Sequence, residues 1–375
     1  MIPLSVPNLA GNEWKYIKDC LDTNWVSSVG SYVDKFEESV AAFTKSAHAI
    51  STSNGTAAIH IALLLSEVTQ GDLVIVPNIT FIAPVNCITY VGAKPLLVDI
   101  DPETWQMDIP LLERYLGQNT EVRNNNCYHI RSGERIKAIM PVHVLGNMCD
   151  MNAVMALAEK FHLAVIEDAT EALGSQYNNQ SAGTIARFGC LSFNGNKIIT
   201  TGGGGMLLTN DAAMAKKAKH LTTQAKSDPF EYVHDDIGYN YRLVNVLSAM
   251  GVAQMEQLPG FIKRKKEISE LYISELAASG DISFQKNTVN VIPNNWLFTI
   301  LSGKQKAVIH ALTEKKIQVR PLWVPMNQLS MFKDCIYINE HSVAQAVYSK
   351  SISLPCSSSI TDEEIHTVIN TILSV

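Results

Sequence analysis

The sequence predicts an α/β protein, with a large portion built on a mainly parallel sheet and a smaller α+β portion after it. In the first part of the chain, short apolar runs bounded by turn residues alternate with longer helical patterns. After about residue 240 this alternation gives way to one long helical pattern and a shorter set of elements. With 375 residues, the chain is long enough to form two domains.

Five apolar runs in the first part are typical of buried strands, and two longer patterns are typical of helices. The predicted strands are 73–76, 95–98, 136–142, 163–166 and 190–193, and the predicted helices are 56–68 and 151–161. This alternation favours right-handed crossovers and a sheet that is covered by helices on both faces. Functional groups are then expected beyond the carboxyl ends of the strands.

The second part predicts a long helix, a small sheet and a closing helix. The predicted elements are helix 243–279, strand 296–301, helix 305–315 and strand 317–322. The long helical pattern is interrupted by Pro259 and Gly260. The last helix opens with Thr361-Asp362-Glu363-Glu364, which has the pattern of a capping box.

The interruption at Pro259 is our basis for a soft domain boundary. It gives a large domain at 1–258, whose N-terminal segment could pack on the other unit, and a small domain at 259–375. The polar run 123–126 is expected to be a surface loop within the large domain.

Charge and composition exclude several kinds of partner. The formal net charge of −6 provides no positive field for nucleic acid. The basic run 263–266 is followed by glutamates on the same predicted helix, which is typical of a solvated face. No run of about 18 apolar residues and no signal-peptide pattern occurs, so we expect a cytoplasmic protein with no membrane partner.

The seven cysteines are scattered and never form a Cys-x-x-Cys pair. This spacing argues against both disulfides and a zinc site, and we expect no metal.

Lys197 is the most informative residue of the chain. It follows the apolar run that ends near Ser192, and the glycine run 202–205 comes shortly after it. An amine at a strand-to-loop junction can be directed at a carbonyl group, and nearby glycines let the backbone pass close to a planar cofactor. These features are typical of a lysine that forms a Schiff base, although the glycine run alone is equally compatible with a flexible loop.

Gly55 and Thr56 precede an apolar helical pattern. The free N–H groups of a helix N-terminus can bind a phosphate, and the Thr56 hydroxyl would add a donor. Plain helix capping by Asn54 explains the motif equally well when it is judged alone.

Phe81 follows the first predicted strand and could stack on an aromatic ring, although a phenylalanine is more often a core residue. Asp168 follows the apolar run 163–166, where a buried carboxylate is costly without a cationic partner. An aspartate at this place could keep a pyridine nitrogen protonated. The alternative is a helix N-cap, since Asp168 and Glu171 have the spacing of one.

Together these motifs describe a pyridoxal phosphate site. Gly55, Thr56 and the Ser192 hydroxyl would hold the phosphate, and Phe81 would stack on the ring. Asp168 would pair with the pyridine nitrogen, and Lys197 would form the Schiff base.

The same motifs resemble the DegT/DnrJ/EryC1/StrS family of sugar aminotransferases. The resembling segments are 54–58, 77–81, 167–169, 192–202 and 238–243, and the resemblance extends to 25–30 and 353–355. It therefore spans nearly the whole chain. Within the family, the sequence Ser-Phe-Asn-Gly-Asn-Lys at 192–197 looks most like the LegC group, which aminates 4-keto sugars attached to a nucleotide.

The resemblance implies the type I fold of pyridoxal-phosphate-dependent transferases, as in aspartate aminotransferase. It also implies a homodimer whose active sites are shared between subunits, with Asn240 reaching the cofactor phosphate of the neighbouring subunit. The implied reaction moves an amino group from L-glutamate to C4 of a UDP-linked 4-keto-6-deoxy sugar, in the synthesis of bacterial surface sugars of the legionaminic acid, bacillosamine or O-antigen type. GDP- and dTDP-linked sugars are alternatives.

Two residues depart from the commoner family pattern. Asn54 stands where serine is usual, and Glu171 stands where glutamine is usual near the phenolic oxygen of the cofactor. A carboxylate at that place disfavours a phenolate unless the carboxylate is protonated or turned away, which leaves the role of Glu171 open.

Trp25, His143 and Arg320 are weaker candidates for substrate contacts. Surface packing for Trp25, an ion pair for Arg320 and a hydrogen-bonded core position for His143 are competing interpretations.

Other functional classes have less support. A nicotinamide-dependent enzyme would need Gly-x-Gly-x-x-Gly after a first strand, and that motif is absent, as is a P-loop. Dehydratases of the same family carry histidine in place of the lysine. A non-catalytic regulatory protein on the same fold is the alternative from a different class, and the absence of bound cofactor would support it.

Overall fold

A computed structural model describes residues 1–228 and 230–375. The helices are α1 (Glu13–Asp22), α2 (Ser31–Thr44), α3 (Gly55–Leu65), α4 (Ile82–Tyr90), α5 (Ile109–Asn119), α6 (Met151–Phe161), α7 (Ala212–Thr222), α8 (Asn245–Leu276), α9 (Gln305–Glu314), α10 (Val343–Tyr348) and α11 (Asp362–Leu373). None of the helices formed by the described residues combines the length and apolar character that a membrane span needs.

The strands are short, and most of those in the main sheet are buried. They are β1 (His48–Thr52), β2 (Leu73–Pro77), β3 (Lys94–Val98), β4 (Thr120–Arg123), β5 (Asn126–His129), β6 (Arg135–Ile139), β7 (Ala164–Asp168), β8 (Gln176–Tyr177), β9 (Gln180–Ser181), β10 (Phe188–Ser192), β11 (Gly205–Thr209), β12 (Lys226–Asp228), β13 (Val233–His234), β14 (Ile282–Phe284), β15 (Val291–Ile292), β16 (Phe298–Ser302), β17 (Tyr337–Ile338) and β18 (Ser351–Leu354).

The main sheet has the strand order β1-β11-β10-β7-β6-β2-β3-β17. The pairs from β10 through β7, β6, β2 and β3 to β17 are parallel, and β11 is antiparallel to both of its neighbours. The predicted mainly parallel α/β sheet is therefore confirmed. Hydrophobic clusters cover both faces of this sheet. Its strands are accordingly apolar at successive positions and do not alternate apolar with polar residues.

The smaller sheet β14-β16-β18 is antiparallel and has a hydrophobic cluster of its own with α8, α9 and α11. The chain also returns from this portion to the main sheet, since β17 pairs with β3. At the other end of the chain, Ile2 bridges Ile317 and the Leu4 carbonyl accepts the N–H of Cys356. The proposed domain boundary stays a prediction.

Most of the predicted elements are confirmed to within a few residues. The predicted strands at 73–76, 95–98, 163–166 and 190–193 correspond to β2, β3, β7 and β10, and the predicted helices at 56–68, 151–161 and 305–315 correspond to α3, α6 and α9. The capping box of α11 is also confirmed: Thr361 accepts the Glu364 N–H, and the Glu364 side chain accepts the Thr361 N–H.

The predicted interruption at Pro259 is wrong, because α8 continues through this residue. A proline inside a helix removes one backbone hydrogen bond, but it does not end the helix when packing holds both sides of it. Here Leu258 and Phe261 are buried on either side of Pro259, and α8 packs against α1 and α2 as well as α11.

Two further predictions need correction. The strand expected at 317–322 forms only isolated bridges, from Ile317 to Ile2 and from Arg320 to Ser353. Pro321 lacks the N–H that would extend the ladder. The strand expected at 136–142 ends at Ile139.

The surface loop expected at 123–126 is confirmed at its centre, where Asn124 and Asn125 form an exposed turn between β4 and β5. Its end residues, Arg123 and Asn126, pair with each other.

Candidate active site

A cavity of about 460 Å³ lies beyond the carboxyl ends of β7 and β10, beside the first turn of α3. Most of the residues singled out from the sequence line this cavity: Gly55, Thr56, Phe81, Asp168, Glu171, Ser192, Lys197 and Arg320. The carboxyl ends of neighbouring parallel strands lie at one edge of a sheet, so segments far apart in the chain meet there. The volume is in the range of sites that enclose a small ligand.

The first turn of α3 forms one end of the cavity. Asn54 is the N-cap, and its side-chain oxygen accepts the N–H of Ala57 at 2.8 Å. The cap accepts the Ala57 N–H, and the N–H groups of Gly55 and Thr56 come before it in the helix turn. Both of these residues line the cavity. The capping interpretation of Asn54 is thus confirmed, and it is compatible with anion binding because the cap orients the same helix turn.

Gly55 lies very close to the end of β10. A methyl group at its Cα would lie 2.9 Å from Ser192 Cβ and 3.1 Å from Thr170 Cγ2. Glycine therefore allows the helix start to approach the Ser192 hydroxyl, and a narrow polar cup results.

Asp168 is the last residue of β7 and is almost fully buried, with one side-chain oxygen accepting the Thr170 N–H at 3.0 Å. Burial raises the pKa of Asp168, and the hydrogen bonds from Thr170 and the charge of Lys197 act against this rise. A buried carboxylate that lines a cavity is a suitable partner for a cationic group of a ligand.

Lys197 follows β10 in a turn, and its side chain is only 12% exposed. Its Nζ lies 3.8 Å from Glu171 Oε1 and 3.9 Å from the centroid of the Trp296 ring. Burial lowers the pKa of Lys197, while the carboxylates of Glu171 and Asp168 oppose that change. A lowered pKa makes the neutral form of the amine more accessible, and that form can act as a nucleophile or base.

Phe81 and Arg320 also contribute to the cavity wall. The Phe81 side chain is 53% exposed, so the core position that its residue type favours is wrong, and its ring is open to a ligand. Arg320 and Trp323 also line the cavity. The Arg320 guanidinium donates to the Val319 carbonyl at 3.0 Å, and the ion pair considered from the sequence is not seen for it among the described residues.

His143, Trp25 and Asn240 are not brought into this cavity. His143 is completely buried: its Nδ1 accepts the Cys149 N–H at 3.3 Å, and its Nε2 faces Glu167 Oε2 at 3.1 Å. It has the hydrogen-bonded core position considered from the sequence, and its contact with substrate stays a prediction. Trp25 is 55% exposed and lies away from the cavity, and Asn240 is exposed in the segment before α8.

Several residues of the site were not identified from the sequence. Trp296 is the most important of them, because its ring covers Lys197 and its Nε1–H donates to the Asn196 carbonyl at 2.7 Å. Asn196 and Trp296 are 100 positions apart, so no local pattern could indicate this contact. The sequence Asn294-Asn295-Trp296 at the start of a predicted strand was the only available signal.

The residues present fit pyridoxal phosphate. A helix N-terminus with a glycine that a Cβ would crowd suits the phosphate, the buried carboxylate of Asp168 suits the pyridine nitrogen, and an amine of lowered pKa at Lys197 suits the aldehyde.

Residues 7–373 match the DegT/DnrJ/EryC1/StrS aminotransferase family. The chain is 38% identical to the GDP-perosamine synthase of Escherichia coli O157:H7, over 97% of this chain and 95% of that protein. It is 35% identical to the GDP-perosamine synthase of Vibrio cholerae, over 99% of this chain and 98% of that protein. Spr1654 from Streptococcus pneumoniae, solved in a PLP-form, has a TM-score of 0.89 and 25% identity over 100% of this chain and 98% of that chain.

Proposed function

Because the chain belongs to the DegT/DnrJ/EryC1/StrS aminotransferase family, with its pyridoxal phosphate cofactor and type I fold, we propose that it aminates C4 of a nucleotide-linked 4-keto-6-deoxy sugar with L-glutamate as donor. The observation that supports this proposal is the meeting of Lys197, Asp168 and the α3 N-terminus in one cavity. Each of them matches a different part of the cofactor.

When bound, pyridoxal phosphate supplies a carbonyl that captures amines and an electron-poor ring that stabilises negative charge at the adjacent carbon. The residues of the chain have the remaining tasks. Gly55, Thr56 and Ser192 would hold the phosphate, and Phe81 would cover one face of the ring. Asp168 would keep the pyridine nitrogen protonated, since a buried carboxylate stabilises a cation next to it.

Lys197 would be the base that moves a proton between the amine-bearing carbon and the cofactor. Its Nζ is nearly excluded from water, and burial lowers its pKa. A base of this kind contributes about 10²- to 10⁴-fold to a proton transfer when it is correctly placed. Trp296 would limit its movement, because the ring lies directly against the amine.

The identity of the nucleotide attached to the sugar is the most specific part of the proposal. The sequence of the lysine segment favours a UDP-linked sugar, through its resemblance to the LegC group. A GDP-linked sugar is the second candidate, and two full-length relatives whose names contain a GDP-linked amino sugar favour it. Arg320 and Trp323 at the cavity wall could contact a diphosphate and a base of either kind.

We also propose that the enzyme is a cytoplasmic homodimer. All seven cysteines are free thiols, which is typical of a reducing compartment. Asn240 is exposed and lies outside the cavity of its own chain, so it is available to a second subunit.

The test is to incubate the purified holoenzyme with glutamate and a panel of UDP-, GDP- and dTDP-linked 4-keto-6-deoxy sugars, and to identify the aminated product by mass. Amination of one nucleotide sugar and formation of 2-oxoglutarate are expected. If no sugar is aminated while glutamate still converts the cofactor to pyridoxamine phosphate, the acceptor is wrong and the donor half of the proposal stands.

A further inference from the structure

Glu171 is a buried carboxylic acid that faces the proposed reactive amine. Its side chain is 2% exposed, and one oxygen, Oε1, lies 3.8 Å from Lys197 Nζ. The sequence gives no explanation for a carboxylate here, where the family pattern more often has an uncharged amide. The geometry of the surrounding residues supplies one.

The other oxygen of Glu171 is held in place by the backbone. Oε2 accepts the N–H of Leu145 at 2.8 Å, and Leu145 has the left-handed backbone conformation, with φ of 63°. A leucine adopts that conformation only at a cost, which the surrounding structure must offset. Oε1 is therefore left as the oxygen that points to the amine.

A second set of contacts fixes both ends of the Glu171–Lys197 pair. Asn294 is completely buried, and its Nδ2 donates to the Glu171 carbonyl at 2.9 Å, while its Oδ1 accepts the Trp296 N–H at 2.9 Å. Since Trp296 covers Lys197, one asparagine positions the backbone of the acid and the ring over the amine. Asn294 thus links the backbone of Glu171 to the backbone of the residue whose ring covers Lys197.

Burial acts on the two groups in opposite directions. It raises the pKa of Glu171 to about 7, against the opposing effects of the Lys197 charge and the Leu145 N–H. It also lowers the pKa of Lys197. Both changes favour the uncharged acid and the uncharged amine over a buried ion pair, whose desolvation is costly.

We propose that Glu171 and Lys197 share one proton, so that Glu171 is a positioning residue that receives a proton from the Lys197 amine. Rotation of the lysine side chain first closes the 3.8 Å separation between Nζ and Oε1 to hydrogen-bond length. An N–H bond of the ammonium group then breaks, and an O–H bond of the carboxyl group forms. The products are a neutral amine and a neutral carboxylic acid, and no proton leaves the cavity. Lys197 thereby becomes free to attack or to act as a base without transfer to bulk water.

Two other titratable groups face Glu171, namely Asp168, whose negative charge raises its pKa, and His143, which acts in the opposite direction. His143 Nε2 faces Glu167 at 3.1 Å, and the described residues show no ion pair between Asp168 and Lys197, whereas Glu171 Oε1 lies 3.8 Å from Lys197 Nζ. The shared proton is therefore assigned to the Glu171–Lys197 pair.

This inference rests on the role proposed for Lys197, and it can be tested without a sugar. The full-length enzyme is loaded with pyridoxamine phosphate, so that the lysine is not linked to the cofactor. The Lys197 amine is then labelled competitively with acetic anhydride across a pH series, and the Lys197 peptide is quantified by mass. Only the neutral amine reacts, so the label reports its fraction at each pH.

For the wild-type enzyme we expect two separate rises in Lys197 labelling. The first occurs near neutral pH, when the pair loses one proton and part of the population holds the other on Glu171. The second occurs at higher pH, when the last proton leaves. In Glu171→Gln the amide cannot take up the proton, and a single rise is expected.

Glu113→Gln is the matched control, because Glu113 forms an exposed ion pair with Lys160 at 2.9 Å on the surface. It removes the same charge from the chain and should retain both rises. A single rise in the wild-type enzyme overturns the proposal, even if Glu171→Gln fails to fold. A single rise that moves to lower pH in Glu171→Gln identifies an ordinary ion pair instead.

The same labelling, repeated on enzyme loaded with pyridoxal phosphate instead of pyridoxamine phosphate, separates this inference from the role of Lys197 itself. With pyridoxal phosphate bound, Lys197 should be protected from the label. Labelling in that state would contradict the cofactor linkage to Lys197, whatever the number of rises.

Discussion

Lys197 combines two properties that a solvated lysine lacks, namely a fixed position and a lowered pKa. Its position comes from the turn after β10 and from the Trp296 ring, and its pKa is lowered by burial. A catalytic amine needs both, because a protonated amine is inert and a mobile one is rarely in place.

Lys197→Ala should abolish turnover and the absorption band of the lysine-linked cofactor. We expect a loss of at least about 10²-fold in kcat, since the base is removed while the phosphate cup is retained. The measurement is glutamate-dependent turnover with cofactor in excess, together with the absorption spectrum. Lys160→Ala, on the surface, is the control. Unchanged turnover by the Lys197 variant would refute its role.

At the residue scale, the sequence predicted which candidate residues line one cavity, but not the contacts that support them. Lys197, Asp168 and Gly55 could be predicted because each has an unusual local setting next to a strand end or a helix start. Trp296 and Asn294 could not, because their importance arises from contacts with residues distant in the chain. The sequence predicts that His143 ends a strand near the cofactor. Its full burial depends on tertiary packing, which no local pattern reveals.

The start of α3 is the element on which the proposed phosphate binding depends. The helix can approach β10 closely only because Gly55 has no side chain, and the cap at Asn54 holds the turn in place. The close approach of Gly55 to β10 and the capping by Asn54 both help to place the N–H groups of the first helix turn.

Gly55→Ala should weaken cofactor binding about tenfold and reduce the free energy of unfolding by about 1–3 kcal/mol. The added methyl group would lie 2.9 Å from Ser192 Cβ, so the helix start must move away from the strand. Titration of the apoprotein with pyridoxal phosphate and denaturant unfolding measure the two effects.

Gly117→Ala is the matched control, because a methyl group there meets no atom within 4 Å. It lies in α5, where alanine should stabilise the helix by about 0.5–1 kcal/mol. Equal cofactor affinity in both variants would show that close approach at Gly55 is unimportant.

Among the elements, those with strong local patterns were predicted, and those that depend on partners were not. The apolar runs of β2, β3, β7 and β10 are unambiguous because both faces of the sheet are covered. The continuation of α8 through Pro259 depends on tertiary packing, which outweighs the loss of one hydrogen bond. The region 317–322 has strand-like residues but only isolated bridging partners.

For the whole molecule, the proposed arrangement places Asn240 of one subunit at the phosphate of the other. Asn240 is exposed in its own chain, as this arrangement requires. The segment just before it exposes Phe230 at 92% and Ile237 at 79%, apolar surface that a second subunit could cover.

A subunit-mixing experiment tests this arrangement. Lys197→Ala and Asn240→Asp should each be nearly inactive, the second because its carboxylate repels the phosphate. After dissociation and reassociation of the mixture, half of the dimers are hybrids, and each hybrid has one intact site. We expect activity to return to about a quarter of the wild-type value. If Asn240 served its own chain, mixing would restore nothing.

The uninterrupted α8 has a consequence for how ligands enter and leave. Its 32 residues extend over about 48 Å and pack against α1 and α2 at one end and α11 at the other. A hinge motion at Pro259 would require this continuous helix to break, which is energetically costly. We therefore expect side chains that line the cavity, such as Phe81 and Arg320, rather than a bend in this helix, to govern the entry and release of ligands.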